Sequence, residues 1–348
     1  MPSEEQKLLM SVIEQFARSE LENISLKIEK EGLPQSLVSR LAELGLLAAT
    51  VPPSEGGSGI DGRSFSLILY TIAKYSPSVA YYIYVQNTLV NEVLHQNGRP
   101  DLIPTIASGK TAGTLVHDIN MNSQHNVKVE GGRLQGENEY VVLPSAAYHI
   151  VLARSAERSL LVLAKPSRVD RKKPLGLRAL EFGVSFYDAE VTSDNVLIQE
   201  KAEEALARHL DSSSLQVGAM ALGIAESAID KAIEYSKQRR AFESYLYEFQ
   251  PIAAVLSDMK SRIGHMKDAL TASEGGESAV MFKLHALEIA RLASRIALQV
   301  HGGYGYLEDV GIERLYRDSM FLTLLTSNYL RDMRTASTDL ISKDAFRI

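Results

Sequence analysis

A pair of adjacent glycines near the C-terminus is the part of this sequence with the clearest chemical meaning. The run from Gln299 to Asp318 reads QVHGGYGYLEDVGIERLYRD, and it places Gly302 and Gly303 between two segments of helical periodicity. Because glycine lacks a Cβ atom, a turn of this kind lets the backbone approach a ligand closely. The turn is therefore a candidate binding element.

Two other glycine-containing runs resemble nucleotide motifs but lack the context these motifs need. Residues Gly57 to Gly62 satisfy GxGxxG, yet a helical pattern precedes them and no βαβ unit surrounds them, so we predict an ordinary interhelical loop. The SGKT run that ends at Thr111 has Pro104 where a P-loop needs glycine, so it is not predicted to bind a nucleotide.

The histidines and carboxylates do not have the spacing of metal ligands. The eight histidines include no HExxH motif and no close pair, and the carboxylates are expected at solvent-facing helical positions. No metal site is predicted. His301, inside the glycine turn, is expected to be packed or hydrogen-bonded to backbone rather than catalytic.

Composition places the chain among ordinary globular proteins and argues against several classes of partner. A net charge of −6 with interspersed signs provides no basic stripe for nucleic acid or for an anionic membrane. The absence of cysteine excludes thiol nucleophiles and disulfides. The acidic, helical start lacks the features of a signal peptide, and no run of about 18 apolar residues occurs. We therefore expect a cytoplasmic protein.

The elements that must position these residues fall into three regions. Apolar residues recur at helical spacing in the first region, short β-branched or alternating runs fill the second, and helical spacing returns in the third. The predicted domains are an N-terminal helical domain (residues 1–111), a middle β domain (112–198) and a C-terminal helical bundle (199–348). The fold class is mainly α with a middle β domain.

Both the glycine turn and this order of domains resemble the acyl-CoA dehydrogenase superfamily, and the resemblance covers nearly the whole chain. It implies that Gln299, Gly302 and Gly303 lie against the ADP half of FAD. A second segment, YSKQRRAFESYLYEFQ, matches the family run that grips the pyrophosphate and adenine, with Arg239 followed by Phe242 and Gln250, three and eleven residues later. In the family these groups serve a neighbouring subunit, which implies at least a dimer.

The resemblance fails where the family carries its catalytic glutamate. The expected position, 27 residues after Gln299, holds Thr326, and the alternative family position, 26 residues before Arg239, holds Ser213. Neither side chain can remove a proton alpha to a thioester, because that step needs a carboxylate with a raised pKa. Asp211 is the nearest acid, and it is predicted to cap a helix rather than to replace the base.

The family segments that meet the flavin ring are also poorly matched. Their nearest counterparts are Val116, His117 and Asp118 in one run and Tyr140 and Val142 in another. A valine can neither donate nor accept a hydrogen bond, so polar flavin atoms would lose partners.

Three functions remain open at this point. The chain is an acyl-CoA dehydrogenase-like flavoprotein that oxidises an acyl-CoA and passes electrons to an acceptor flavoprotein, or a non-catalytic subunit that lends the ADP-binding residues to a catalytic homologue, or a side branch that uses another base. FAD is either held by this chain or shared with the partner. The sequence favours the second function. The assembly that the resemblance implies is a homodimer, a homotetramer or a hetero-oligomer with a catalytic acyl-CoA dehydrogenase homologue.

Overall fold

Helices occupy both ends of the chain and strands occupy its middle, which confirms the predicted fold class. The computed structural model describes residues 4–117, 126–156, 158–272, 277–326 and 328–342. The division into domains at 111/112 and 198/199 stays a prediction.

Two helices of the N-terminal region, α4 and α5, begin at a residue whose side chain caps the helix. Asp61 accepts hydrogen bonds from the backbone N–H groups of Arg63 and Ser64, at 3.1 and 3.0 Å, and so starts the longest of these helices. The helices are α1 (Glu4–Phe16), α2 (Glu22–Glu31), α3 (Gln35–Glu43), α4 (Gly62–Tyr75), α5 (Pro77–Tyr84), α6 (Glu92–Gln96) and α7 (Ile103–Ala107). Two π-helical segments, Ala17–Leu21 and Val85–Asn91, and two 3₁₀ turns, Pro53–Glu55 and Pro100–Leu102, complete the region.

The middle region forms one eight-stranded sheet. Its strands are β1 (Gly113–Val116), β2 (Lys128–Glu130), β3 (Arg133–Val142), β4 (Tyr148–Ser155), β5 (Arg158–Ala164), β6 (Arg168–Lys172), β7 (Phe182–Glu190) and β8 (Val196–Ile198). They lie in the order β6-β7-β3-β2-β4-β5-β8, and β1 pairs in parallel with β4. Because side chains alternate along a strand, Ile150 and Leu152 of β4 join the main core, whereas Val151 and Ala153 join a second core within the sheet.

The C-terminal region is built around one buried helix. Its elements are α8 (Ala202–Ser212), α9 (Ser214–Gln238), a hairpin of β9 (Arg240–Ala241) and β10 (Ser244–Tyr245), α10 (Gln250–Ala272), α11 (Glu277–His301), α12 (Ile312–Thr326) and α13 (Tyr329–Ser342), with 3₁₀ turns at Leu246–Glu248 and Gly302–Tyr306. Helix α9 packs between α4 and α11. A Cβ atom at Gly223 would lie 2.4 Å from the carbonyl oxygen of Tyr70, so glycine is what allows α4 and α9 to approach.

The π-helical segment Val85–Asn91 joins all three regions through buried polar side chains. Gln86 exchanges two hydrogen bonds with the backbone of Gly113 at the start of β1, at 2.9 and 3.1 Å. Thr88 donates to Gln216 of α9 at 2.6 Å, and Asn91 donates to the carbonyl oxygen of Leu47 at 2.8 Å. The segment is therefore a junction held by hydrogen bonds rather than by apolar packing alone.

The structure contradicts the prediction about carboxylates and confirms the prediction about the GxGxxG loop. Carboxylates do not all face solvent as expected, because Asp318 and Asp332 are fully buried. The loop that carries GxGxxG is an interhelical loop, as predicted, and a Cβ atom at Gly57 would lie 2.0 Å from the carbonyl oxygen of Val51. Among the described helices, none is both long and apolar enough to cross a membrane, and the described residues form no cluster of three or more metal-ligating side chains.

Candidate functional site

The end of α9 and the end of α11 meet at an open cavity of about 490 Å³. Arg239 follows α9 with extended backbone, and Gly302 leaves α11 with a φ of 57°, a value that favours glycine. Arg239, Gly302, Gly303 and Tyr304 all line this cavity. The fold therefore brings three of the predicted site residues together.

The Arg239 side chain is exposed at this cavity and is not engaged by an acid. Its guanidinium carbon lies 5.8 Å from the centroid of the Tyr304 ring, within range of a cation–π contact. No carboxylate oxygen in the described part of the chain lies within 4.0 Å of it. A guanidinium with no internal counter-ion can form bidentate hydrogen bonds with a phosphate.

Gly303 has no packing reason to be glycine. A Cβ atom built there would have no heavy atom within 4 Å, and its φ lies outside the region that favours glycine. At Gly302 the same space is open, although its backbone conformation already explains the residue type. The smallness of Gly303 is therefore unused by this chain's own fold. An approaching ligand or neighbouring subunit would use it.

The other predicted ADP-binding residues are exposed nearby but do not line the cavity. Phe242 is 95% exposed in the turn of the β9–β10 hairpin, with a φ of 49°. Gln250 is the first residue of α10, and Gln299 lies two residues before the end of α11. Both glutamines are exposed. Within one chain, the side chains of Phe242, Gln250 and Gln299 therefore do not line the cavity that Arg239 lines.

Sequence reasoning did not include two aromatic rings of this cavity, Tyr235 and Tyr304. Tyr235 stacks on His301, with ring centroids 4.2 Å apart and an interplanar angle of 23°. Nδ1 of His301 lies 2.8 Å from the carbonyl oxygen of Ala297. His301 is thus packed and bonded to backbone, as predicted. The spacing of Tyr235 four residues before Arg239, one helical turn away, was the available signal.

Of the two positions expected to hold a glutamate, Thr326 lines a second, small cavity, and Ser213 hydrogen-bonds to Tyr84, which also lines it. Thr326 donates to the carbonyl oxygen of Leu322 at 2.6 Å. Ser213 donates to the carbonyl oxygen of Leu210 at 2.9 Å, and its Oγ lies 2.9 Å from the hydroxyl of Tyr84. Both hydroxyls are therefore occupied by internal hydrogen bonds.

The second cavity, lined in part by Thr326, Tyr84, His117 and Arg331, measures only about 40 Å³. That volume holds a few water molecules at most, whereas pockets for cofactor-sized ligands measure roughly 300 to 1,000 Å³. An isoalloxazine ring does not fit beside Thr326 in this arrangement of the described residues. The ADP half of FAD, in contrast, fits the open cavity at Arg239 in size and in charge.

Four charged side chains form a neutral network beside Thr326. Nζ of Lys283 lies 2.8 Å from a carboxylate oxygen of Asp332, and these side chains are 2% and 0% exposed. Arg331 contacts Asp332 at 3.3 Å and Asp211 at 2.5 Å. Burial lowers the pKa of Lys283, and the carboxylate of Asp332 opposes that shift. Two positive and two negative groups thus compensate one another inside the fold.

The predicted capping role of Asp211 is wrong. Asp211 lies in the last turn of α8, which ends at Ser212, and it forms an ion pair with Arg331 instead. Only the N-terminal end of a helix exposes N–H groups that a carboxylate can cap. The carboxylate of Asp211 also does not line the cavity beside Thr326.

Two of the five counterparts of the flavin-contacting residues lie in the core, and His117 lines the small cavity. Val116 and Val142 are buried, one in each hydrophobic core, so neither is available to a ligand. Tyr140 is half exposed, with its ring centroid 6.5 Å from that of Phe182. Asp118 lies outside the described residues.

Comparison with known proteins gives a consistent result over most of the chain. The model of the acyl-CoA dehydrogenase N-terminal domain matches residues 3–110, and that of the C-terminal domain matches residues 204–333. A 3-(aryl)acrylate reductase of Clostridium sporogenes is 28% identical over 91% of this chain and 93% of its own. The caffeyl-CoA reductase-Etf complex subunit CarC of Acetobacterium woodii is 26% identical over 92% and 94%. The butyryl-CoA dehydrogenase of Megasphaera elsdenii superposes with a TM-score of 0.87 at 23% identity, over 98% and 99% of the two chains.

Proposed function

This chain belongs to the acyl-CoA dehydrogenase family, and from that membership we propose that it is a flavoprotein subunit which contributes the ADP-binding half of an FAD site. The assembly it serves removes hydrogen from the α and β carbons of an acyl-CoA thioester. The base and the surroundings of the flavin ring come from a catalytic partner chain.

The single observation that carries this proposal is Gly303. Among the described residues, neither a neighbouring atom nor the backbone conformation requires Gly303 to lack a Cβ atom, and Gly303 lines the same cavity as Arg239. Arg239 binds the pyrophosphate, the glycine turn admits it to the backbone, and Tyr304 lies beside both. FAD, when bound, supplies the acceptor for the hydride that leaves the β carbon.

The exposed positions of Phe242, Gln250 and Gln299 support a site completed between subunits. Each lies on an element next to Arg239 or the glycine turn, yet none reaches the cavity of its own chain. Side chains that face outward around a ligand cavity can contact a cofactor that a neighbouring subunit holds. A dimer or larger oligomer is therefore part of the proposal.

The filled region beside Thr326 supports the proposal that this chain has no catalytic base of its own. Proton removal alpha to a thioester needs a carboxylate that reaches the carbon, and none of the residues known to line the small cavity is an aspartate or glutamate. Asp211, the alternative base, is held by Arg331 at 2.5 Å. The alternatives are an inactive structural subunit, which would not bind FAD at Arg239, and a side branch of the family that uses another base, which for Asp211 would require this ion pair to open.

The relatives bear on the partner and on the direction of the reaction. One relative is a subunit of a complex with Etf, which supports an electron-transferring flavoprotein as the redox partner and a hetero-oligomer as the assembly. Two relatives are reductases, so the assembly is also a candidate for the reverse reaction, the reduction of an α,β-unsaturated acyl-CoA. We place the assembly in the cytoplasm.

The Arg239→Ala variant tests the proposed half-site, with Arg240→Ala as its matched control. The adjacent Arg240 is also exposed, but it donates to the carbonyl oxygen of Glu243 and does not line the cavity. Loss of a bidentate contact to pyrophosphate weakens FAD binding by about ten- to a hundredfold, because each charge-assisted pair contributes about 1.5 to 3 kcal/mol. FAD per complex is counted after co-purification with a candidate catalytic homologue.

The wild-type chain purified alone is assayed with a panel of saturated acyl-CoA thioesters, and we expect no turnover.

Unchanged FAD content in an intact Arg239→Ala complex would contradict the proposed half-site. Robust turnover by the chain alone would instead show that it has its own base, with Asp211 the first residue to replace.

A further inference from the structure

A third cavity, with no lining residue in common with the other two, is lined by three cations that have no close counter-ion among the described residues. It measures about 290 Å³ and lies where α2, α4 and α9 meet the start of α12. Lys74, Lys231 and Arg314 line it, and in the described part of the chain no carboxylate oxygen comes within 4.0 Å of any of the three cations. Three cations without close counter-ions around one space are electrostatically unfavourable unless an anion joins them.

Arg314 is the buried member of this group. It is 5% exposed, its Nη2 donates to the carbonyl oxygen of Tyr75 at 3.3 Å, and its buried Nε has no hydrogen-bond partner. A buried, charged donor that stays unpartnered costs free energy, which a bound acceptor would recover. Burial, and then the charge of Arg314, lower the pKa of Lys231, and the carboxylate of Glu22 opposes that shift.

The cavity also lies at the positive end of a helix. Val310 and Gly311, which line it, immediately precede α12, a helix of 15 residues, and Arg314 lies in its first turn. The first N–H groups of a helix have no partner within the helix, and the helix dipole favours an anion there.

Two acids also line the cavity, and they do not cancel this charge. Asp230 forms an ion pair with Lys260, so its charge is compensated from outside the cavity. Glu22 is the remaining acid, against three cations. The position of Lys74 is set by two tyrosine rings, because its Nζ lies 5.9 Å from the centroids of both Tyr70 and Tyr75.

We propose that this cavity binds a phosphate group, either as inorganic phosphate or as the phosphate of a small phosphomonoester. Lys74 and Lys231 contact its oxygens from the rim, Arg314 donates from below, and the N-terminus of α12 contributes its dipole. The site is independent of the flavin half-site, since none of its lining residues is shared with the cavity at Arg239.

Isothermal titration of the full chain with inorganic phosphate tests the proposal at constant ionic strength. We expect one site per chain, a dissociation constant raised about tenfold or more in the Lys74→Gln/Lys231→Gln double variant, and no change in Lys237→Gln, an exposed lysine of the same helix outside the cavity. Glu22→Gln should tighten binding by about threefold or more, because it removes the unpaired negative charge. A purely structural role of these lysines predicts no such gain.

The surface double variant carries the test, because replacement of buried Arg314 risks loss of folding. Binding that is absent in the wild type at millimolar phosphate, or equal in wild type and double variant, overturns the site. Binding that disappears in Arg239→Ala but not in the double variant also overturns it, since the phosphate would then lie in the flavin half-site. Competition by AMP identifies a phosphomonoester ligand, and its absence identifies free phosphate.

Discussion

The cavity at Arg239 and the cavity at Thr326 both border α9, yet their charged side chains are arranged in opposite ways. At the first, the exposed guanidinium of Arg239 has no carboxylate within 4.0 Å among the described residues, and Gly303 leaves space that no described atom fills. At the second, buried Lys283 and Asp332 pair with each other, and Arg331 pairs with Asp211. Unpaired charge beside open space indicates an external ligand, whereas paired charge in a filled interior indicates structure.

Loss of one partner from the filled region should have the largest effect on stability. Lys283→Met removes the buried counter-ion that lies 2.8 Å from Asp332 and leaves the longer contact with Arg331, so we expect the free energy of unfolding to fall by about 3 to 5 kcal/mol. Urea denaturation measures it. Lys27→Met, which removes an exposed pair with Glu31, should cost less than about 1 kcal/mol.

The double variant Lys283→Met/Asp332→Leu should recover most of that loss, because both charges are then gone. If Lys283→Met alone is as stable as the wild type, the network is not structural, and the contrast between the two cavities fails.

A pH-dependent effect of intermediate size is expected in α12, the helix that connects the glycine turn to Thr326. Burial, reinforced by Glu29, raises the pKa of Asp318 to about 7 from an ordinary 3.8. The protonated form therefore stabilises the folded chain fully below about pH 4, and this contribution is lost as the pH rises to about 7. The slope reaches at most about 1.4 kcal/mol per pH unit.

Asp318→Asn keeps an acceptor for the backbone N–H of Leu177, which lies 2.7 Å from the carboxylate, but it cannot titrate. Thermal unfolding between pH 5 and pH 8 should thus depend less steeply on pH in this variant than in the wild type. Asp188→Asn, at an exposed pair with Arg133, serves as the control and should leave the slope nearly unchanged. Parallel curves for wild type and Asp318→Asn would contradict the assignment.

The smallest effect on stability is expected for Gly303→Ala. This variant best distinguishes the open cavity at Arg239 from the filled cavity at Thr326. Gly303→Ala meets no atom within 4 Å, so the free energy of unfolding should change by less than about 0.5 kcal/mol. Gly57→Ala, whose Cβ would lie 2.0 Å from the carbonyl oxygen of Val51, should cost about 1 to 3 kcal/mol. FAD retained by the assembled complex should fall in Gly303→Ala. Full retention there would mean that no ligand approaches the turn.

Local patterns in the sequence predicted the order of helices and strands, because apolar periodicity and turn residues act over a few positions. The packed state of His301 and the meeting of Arg239 with the glycine turn were likewise accessible, the second through family resemblance. The network of four charged side chains beside Thr326 could not be predicted from the sequence. Its members, Asp211, Lys283, Arg331 and Asp332, are scattered along three helices, and each taken alone has the spacing of a solvated side chain. Only tertiary packing makes them neighbours.

The same limit explains the error at Asp211 and the unforeseen role of the π-helical segment Val85–Asn91. Asp is favoured before a helix, but here one helix ends just after Asp211 and the next begins at Ser214, so the preference alone could not tell an N-terminus from a last turn. A π-helix has no distinct periodicity in a short sequence window, and its polar side chains look like a loop.

The hydrogen bonds of the segment Val85–Asn91 have a consequence for how the chain unfolds. Gln86 is tied to β1, Thr88 to α9 and Asn91 to the N-terminal loop at Leu47. Separating the sheet from this segment would leave the buried amide of Gln86 without its partner, and separating α9 would do the same to the hydroxyl of Thr88, at about 1 to 3 kcal/mol for each group. The three regions should therefore melt as one cooperative unit, and amide hydrogens in the sheet and in α9 should exchange through the same global opening rather than through separate local ones.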